Sequence, residues 1–325
     1  MSSLMDARSG NSQITQKSTR DAYGEALVEI GRARDDLYVM DADLSMSTKT
    51  CNFAGRFPDR FFNAGVAEQN MIGIACGLSK TGKTVVVSTL AVFAPGRVYD
   101  QMRNTLAHSQ CNVKVVVTHG GISVGKDGSS HQAIEDIALA RVIPGMTVIV
   151  PSDAVETKEV IYHIVDTRGP FYVRLGRAQV PVINREGCFY PGKGKILGKG
   201  SDITLIGCGM MVFEMLKAKE VLEKKGISTR VVNISTIKPI DRELITTCAR
   251  ETTYIFTCEE HSIIGGLGSA VMESLEGVRG AAVKRIGIQD CFGESGLPEE
   301  LFEKYGLSGA KIAAAIESAL KSNNT

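Results

Sequence analysis

The amino-acid sequence predicts an α/β protein with two doubly wound sheet domains, and three features carry that prediction. Strand-like runs of about four to six residues alternate with segments of helical period, the pattern of parallel sheets with crossover helices. The run Thr84-Val85-Val86-Val87-Ser88-Thr89 is β-branched almost throughout, which suits a strand covered on both faces. At 176–200 the alternation gives way to Gly-, Pro- and Lys-containing sequence of little periodicity, and beyond it the alternation resumes. The 325 residues suffice for two domains of ordinary size. We therefore expect a loose polar tail at 1–17, a first domain at 18–178, a linker at 179–200 and a second domain at 201–325.

Ser18 and Thr19 can cap a helix over about 20–33, with Ala22, Ala26, Leu27 and Ile30 as its inner face. A short strand at 37–40 runs into Asp41 and Asp43. A helix over about 65–78 precedes the strand at 84–89, and another at 97–108 precedes the strand at 113–118. A glycine-rich loop, 120–128, leads to a helix from about Ala133. A strand at 147–150, a helix capped by Asp153 and a strand at 171–175 complete the first half. The second half reads as strands at 203–207, 229–234, 253–258 and 282–288, with helices at 212–224, 241–250, after Gly265 and at 310–320.

Composition removes several classes of function. The chain is 43% hydrophobic and 22% charged with a net charge of +1, which gives no reason to expect nucleic acid or an acidic membrane as partner. No apolar run approaches the roughly 20 residues of a spanning helix, and the polar N-terminus lacks a signal core. The eight cysteines are scattered without a CxxC, as for reduced packing residues in a cytoplasmic protein.

The chain is organised around 61–75, where aromatics lead into a small-residue turn and Glu68 opens an apolar Gly- and Ala-rich helix. Gly73 and Gly77, one turn apart, predict tight packing on most sides, so a carboxylic acid stands in the first turn of a buried helix. The helix dipole favours its charged form and desolvation the neutral one. Two readings stay open: an acid that merely stabilises the helix, or one that shares a proton with a ligand nitrogen.

Ligands gather at the carboxyl ends of parallel strands. There the sequence places Asp41, Asp43, Ser45 and Ser47, then Phe93, then His119, and last Arg174 and Arg177. Of five histidines, His119 and His131 bracket the glycine-rich loop that carries Lys126 and Asp127. Imidazoles and guanidiniums at a cleft mouth suit a polyhydroxylated, phosphorylated substrate; solvated loop groups and a domain-interface ion pair are the plainer alternatives. Gly265-Gly266-Leu267-Gly268 reads as close helix–sheet packing in preference to an anion nest. Glu259, Glu260 and His261 are adjacent and point in different directions, against a metal site.

These residues carry a family likeness. Ala64-Gly65-Val66-Ala67-Glu68-Gln69-Asn70 resembles the glutamate motif of transketolases and related thiamine diphosphate enzymes. Thr118-His119-Gly120-Gly121 with Gly125-Lys126-Asp127-Gly128-Ser129-Ser130-His131-Gln132 resembles the transketolase substrate loop. The resemblance runs from Ser18 to the C-terminus and implies a pyrimidine-binding domain followed by a transketolase C-terminal domain. It implies thiamine diphosphate as cofactor, with Glu68 bonded to N1′ of its aminopyrimidine so that the imino form at N4′ can take the C2 proton. It implies Phe93 stacked on that ring, Asp43 near the thiazolium, and His119, Asp127 and His131 on sugar hydroxyls or phosphate. Arg20, Ser47 and Arg177 match the phosphate-binding set.

Departures accompany the match. Leu90 stands where many relatives carry a second phenylalanine, and Ala94-Pro95-Gly96-Arg97 reads one residue longer, which leaves open whether Tyr99 reaches the ring. Ser129-Ser130 replaces Pro-Thr. A Gly-Asp-Gly motif followed by asparagine, which holds the diphosphate through Mg²⁺ in full-length relatives, is absent from the sequence. The resemblance is therefore to the C-terminal subunit of a split transketolase, with no metal ligand of its own. Mg²⁺ ligands are expected from a separate N-terminal diphosphate-binding subunit, in an α2β2 assembly. The expected reaction moves a two-carbon ketol unit from a phosphorylated ketose to an aldose. Three other readings compete: a subunit like 1-deoxyxylulose-5-phosphate synthase, one like a 2-oxo acid dehydrogenase β chain, or a non-catalytic assembly subunit. His119, the arginine set and the intact Glu68, His119 and His131 speak against them in turn. The second domain is assigned to dimerisation.

Overall fold

The structure is a computed structural model that describes residues 15–322. Two sheets form the framework. The first has seven strands in the order Thr236–Lys238, Thr147–Ile149, Phe171–Arg174, Val113–Thr118, Thr84–Leu90, Leu37–Asp41, Phe61–Asn63. All its pairings are parallel except that of Thr236–Lys238, which comes from the second domain and lies antiparallel to Thr147–Ile149. The second sheet has five strands, Ala282–Ile288, Tyr254–Ser262, Ile203–Gly207, Thr229–Asn233 and, antiparallel at one edge, Lys195–Gly198. Thr84–Leu90 and Val113–Thr118 are buried along their whole length, as continuous apolar runs between helical layers require.

The expected doubly wound α/β architecture is present in both halves. Ser18 caps the helix Thr19–Ala33 by accepting from the Asp21 amide, and Asp153 caps Ala154–Asp166 by accepting from the Glu156 amide. The helix expected at 97–108 begins earlier, as Ala94–Asp100, and continues as a π-helix, Gln101–His108.

Two expectations are corrected at their margins. Residues 1–14 of the expected tail lie outside the described residues, but Gln16–Ser18 forms a strand antiparallel to Gln179–Pro181. The span 179–200 likewise holds that strand and Lys195–Gly198. These are short edge strands held by backbone pairing, so no hydrophobic alternation announces them.

The halves share more than a connection. One core cluster joins Val115, Val117, Val148 and Tyr172 of the first half to Ile206, Val232, Ile234 and Leu267 of the second. All eight cysteines are free thiols, six of them buried. Among the described residues no helix is long and apolar enough to cross a membrane.

Candidate active site

Glu68 is the first residue of the helix Glu68–Ser79, which opens without a side-chain cap on Ala67. Its side chain is buried, 6% exposed, and its Oε1 accepts from Nη1 of Arg97 at 2.7 Å. That guanidinium lies over the ring of Phe93, 3.9 Å from the centroid. The edge of the ring meets His131, with centroids 5.5 Å apart. A carboxylate, a planar cation, an aromatic face and an imidazole thus form one continuous stack.

The tight packing expected around this helix is not found within the chain. Gly73 and Gly77 are exposed, and a Cβ built on either would meet nothing within 4 Å. Val66 is 74% and Ile74 45% exposed beside them. The helix buries Met71, Ile72, Ala75 and Cys76 on one side and leaves its glycine side open.

The second constellation surrounds His119. This residue has φ of 61°, a left-handed conformation uncommon outside glycine and a mark of local strain. It is buried, with Nδ1 2.8 Å from the Thr118 hydroxyl. Burial lowers its pKa to about 4, and the nearby Arg20 and Arg177 guanidiniums add to the shift against the opposing charge of Asp127. It is therefore a neutral imidazole, able to give and accept a hydrogen bond. Arg20 donates to the Ser47 carbonyl at 3.0 Å and has a buried Nε without a partner. Its pKa is lowered, chiefly by burial; the charge of Asp21 opposes this and that of Arg177 adds to it. Arg177 donates to the Val124 carbonyl at 2.6 Å and stands 3.6 Å from Asp127. Two guanidiniums converging on a neutral histidine leave a place where an anion would be stabilised.

The structure thus brings Glu68 to Phe93 and His131, and Arg20 to Ser47, His119, Asp127 and Arg177. Asp43 stands apart: φ is 64°, and its carboxylate and amide both bond the Asn63 side chain. Tyr99 packs partly buried against the main core. Arg174, for which a domain-interface ion pair was one alternative, is buried and paired with Asp136 at 2.9 Å. The first helix after Gly265 is filled by the chain's own carboxylate, since Glu259 accepts from the Leu267 and Gly268 amides. Glu260 and His261 likewise have their own partners, and among the described residues no group of three or more His, Cys, Asp or Glu could hold a metal ion. Sequence reasoning missed Arg97 as a site residue. Its position four residues after Phe93 at a helix start was the available signal, since i,i+4 side chains meet.

Fold and site together define an α/β protein with two doubly wound sheets, an acid at a helix start beside an aromatic face and a histidine-bracketed loop alongside. Comparison with known sequences gives the family. The transketolase pyrimidine-binding domain matches residues 15–182 and the transketolase C-terminal domain residues 192–312. A "Putative transketolase C-terminal section" from Methanocaldococcus jannaschii is 50% identical over 94% of this chain and 97% of its own length. The "6-deoxy-6-sulfo-D-fructose transketolase subunit SqwH" of Clostridium sp. (strain MSTE9) is 38% identical over 94% of this chain and 95% of its own. A solved structure described as "Split gene transketolase, inactive beta4 tetramer" superposes with a TM-score of 0.87 at 48% identity, over 94% of this chain and 98% of that one. The chain belongs to the transketolase family, with the pyrimidine-binding domain followed by the C-terminal domain.

Proposed function

We propose that this chain is the pyrimidine-binding subunit of a two-subunit transketolase, moving a two-carbon ketol unit from a phosphorylated ketose to an aldose acceptor. One observation carries the reading. The Arg97 guanidinium, a planar cation bearing N–H groups, lies on Phe93 and donates to Glu68. A protonated aminopyrimidine is also a planar cation with N–H donors, so acid and ring fit thiamine diphosphate once Arg97 swings aside. When bound, that cofactor supplies a carbon nucleophile that no side chain can provide.

The chain's own residues do the rest. Glu68, buried at the helix start, shares a proton with a ring nitrogen, and Phe93 sets the plane of that ring. His119 stays neutral and hydrogen-bonds sugar hydroxyls, with His131 opposite at the Phe93 edge. Arg20 and Arg177, assisted by the Ser47 backbone and Asp127, take the terminal anion of the sugar. A phosphate fits, and a sulfonate such as the substrate named for the Clostridium relative offers a similar tetrahedral set of anionic oxygens with a lower charge. Asp43 is assigned to the thiazolium side and Tyr99 to the support of the helix bearing Arg97.

The diphosphate and its Mg²⁺ are assigned to a partner subunit docked on the open glycine face of the Glu68–Ser79 helix, in an α2β2 assembly in the cytoplasm. The inactive tetramer of the structural relative supports inactivity without such a partner. The test is ketol transfer by the purified chain alone and mixed with its diphosphate-binding partner. We expect turnover only in the mixture. Substantial turnover by the chain alone would overturn the split-subunit reading, and none in either would overturn the transketolase reading.

A further inference from the structure

The second domain grips the loop between His119 and His131. Glu260, near the end of the buried run of strand Tyr254–Ser262, reaches into the first domain, and its Oε1 accepts from the Ser123 amide at 2.5 Å. The carboxyl lies so close to the loop that a Cβ at Gly121 would stand 2.2 Å from its carbon, and Gly121 has φ of 79°. On the other side, Arg174 presses on Gly120 and ties the same segments together, donating to the carbonyls of Ala133 and Glu260. Further along, Gln132 Nε2 donates to the Ile122 carbonyl and, across the domain boundary, to that of Glu294. The Ser295 hydroxyl lies against Gly128.

We propose that Glu260 is a positioning residue that fixes the sugar-contacting histidines from the C-terminal domain, so that this domain completes half of the active site. At its glycines the loop has little of its own to hold it. Its glycines at 120, 121, 125 and 128 have no side chains to pack, and backbone freedom there is large. A buried carboxyl oxygen accepting from the Ser123 amide supplies a directional bond where that packing is missing. His119 immediately precedes the gripped glycines, so its strained left-handed backbone is held from both sides. The clamp stands on geometry; its role toward the sugar rests on the reading given under Proposed function.

Three variants test it: Glu260→Ala removes the acceptor, Glu260→Asp keeps a carboxyl but withdraws it from Ser123, and Glu260→Gln keeps an acceptor in reach. In the full isolated chain, hydrogen exchange at the Ser123 and Val124 amides should quicken by about tenfold or more in the Ala and Asp variants and recover in Gln. Unchanged exchange in the Asp variant, which keeps a carboxyl group at this position, would overturn the clamp. In the enzyme assembled with its partner, KM for the ketose should rise about tenfold in the Asp variant with thiamine diphosphate affinity unchanged, and Gln should restore it. Faster exchange with an unaltered KM would keep the contact and overturn its positioning role. Failure of the transketolase reading would show separately, as wild-type assemblies without ketol transfer.

Discussion

The two halves of the candidate active site are finished to different degrees. Around His119 the chain supplies everything: a buried imidazole, guanidiniums on either side, and a second domain whose Glu260 holds the loop by its backbone. Around Glu68 it supplies an acid and a ring and then stops, with Gly73, Gly77, Val66 and Ile74 facing outward. Glycines mark both regions with opposite meanings. At Gly121 the missing side chain is filled by Glu260, whereas at Gly73 nothing within the chain fills it. The His119 side is closed within this chain, and the Glu68 side is left open.

That contrast can be broken or sharpened by experiment. The largest effect belongs to the open side: Glu68→Gln should lower ketol transfer by the assembled enzyme about 10²- to 10⁴-fold while leaving the thermal midpoint of the isolated chain in place. Normal turnover would return Glu68 to merely stabilising the helix start. Next is the acid response of the closed side. His119 is held neutral in the fold with a pKa near 4, against an ordinary 6.5. Protons therefore bind the unfolded chain first, and stability present above pH 6.5 drains away as pH falls toward 4. His119→Gln should remove this contribution, about 3 kcal/mol by linkage, so its stability relative to wild type rises on acidification. Denaturant titrations at pH 7 and pH 4.5 measure the difference, and parallel responses would contradict it.

The glycines themselves give the third comparison. Gly121→Ala, facing both the Glu260 carboxyl and a left-handed backbone, should destabilise the chain by about 2 kcal/mol. Gly73→Ala should stabilise the isolated chain by about 0.5–1 kcal/mol, because a helix interior prefers alanine and space is free. If the face docks a partner, Gly73→Ala also weakens assembly, which sedimentation with the partner reads; stronger chain and equal assembly would place docking elsewhere. A comparably small effect is expected at Arg97. Removing its hold on Glu68 and Phe93 with Arg97→Met should tighten thiamine diphosphate binding to the isolated chain by about threefold to tenfold. Calorimetric titration would settle it, and weaker binding would make Arg97 a ligand contact instead of an occupant.

The parts legible in the sequence are those with a local signature. The β-branched run at Thr84 and the caps Ser18 and Asp153 each declare their structure within a few residues. The pairing of Glu68 with an aromatic and a histidine-bracketed loop was legible as chemistry, though not as contact. What escaped was long-range. The strands Gln16–Ser18, Gln179–Pro181, Lys195–Gly198 and Thr236–Lys238 are three or four residues long and exist through pairing with distant partners. Glycine spacing at 73 and 77 predicted tight packing on most sides, and within the chain that packing is absent because nothing lies against either glycine. Glu260 looked like one of three adjacent polar residues; only the sheet separates Glu259, turned to a helix start, from Glu260, turned to the loop.

The strand Thr236–Lys238 crosses from the second domain to close an edge of the first domain's sheet. A fragment ending at the linker would bare the backbone of Thr147–Ile149 and strand the Arg174 guanidinium's contacts at the severed face. Such a piece would offer a sticky ribbon to its neighbours, so genetic dissection of this polypeptide should proceed by point substitution.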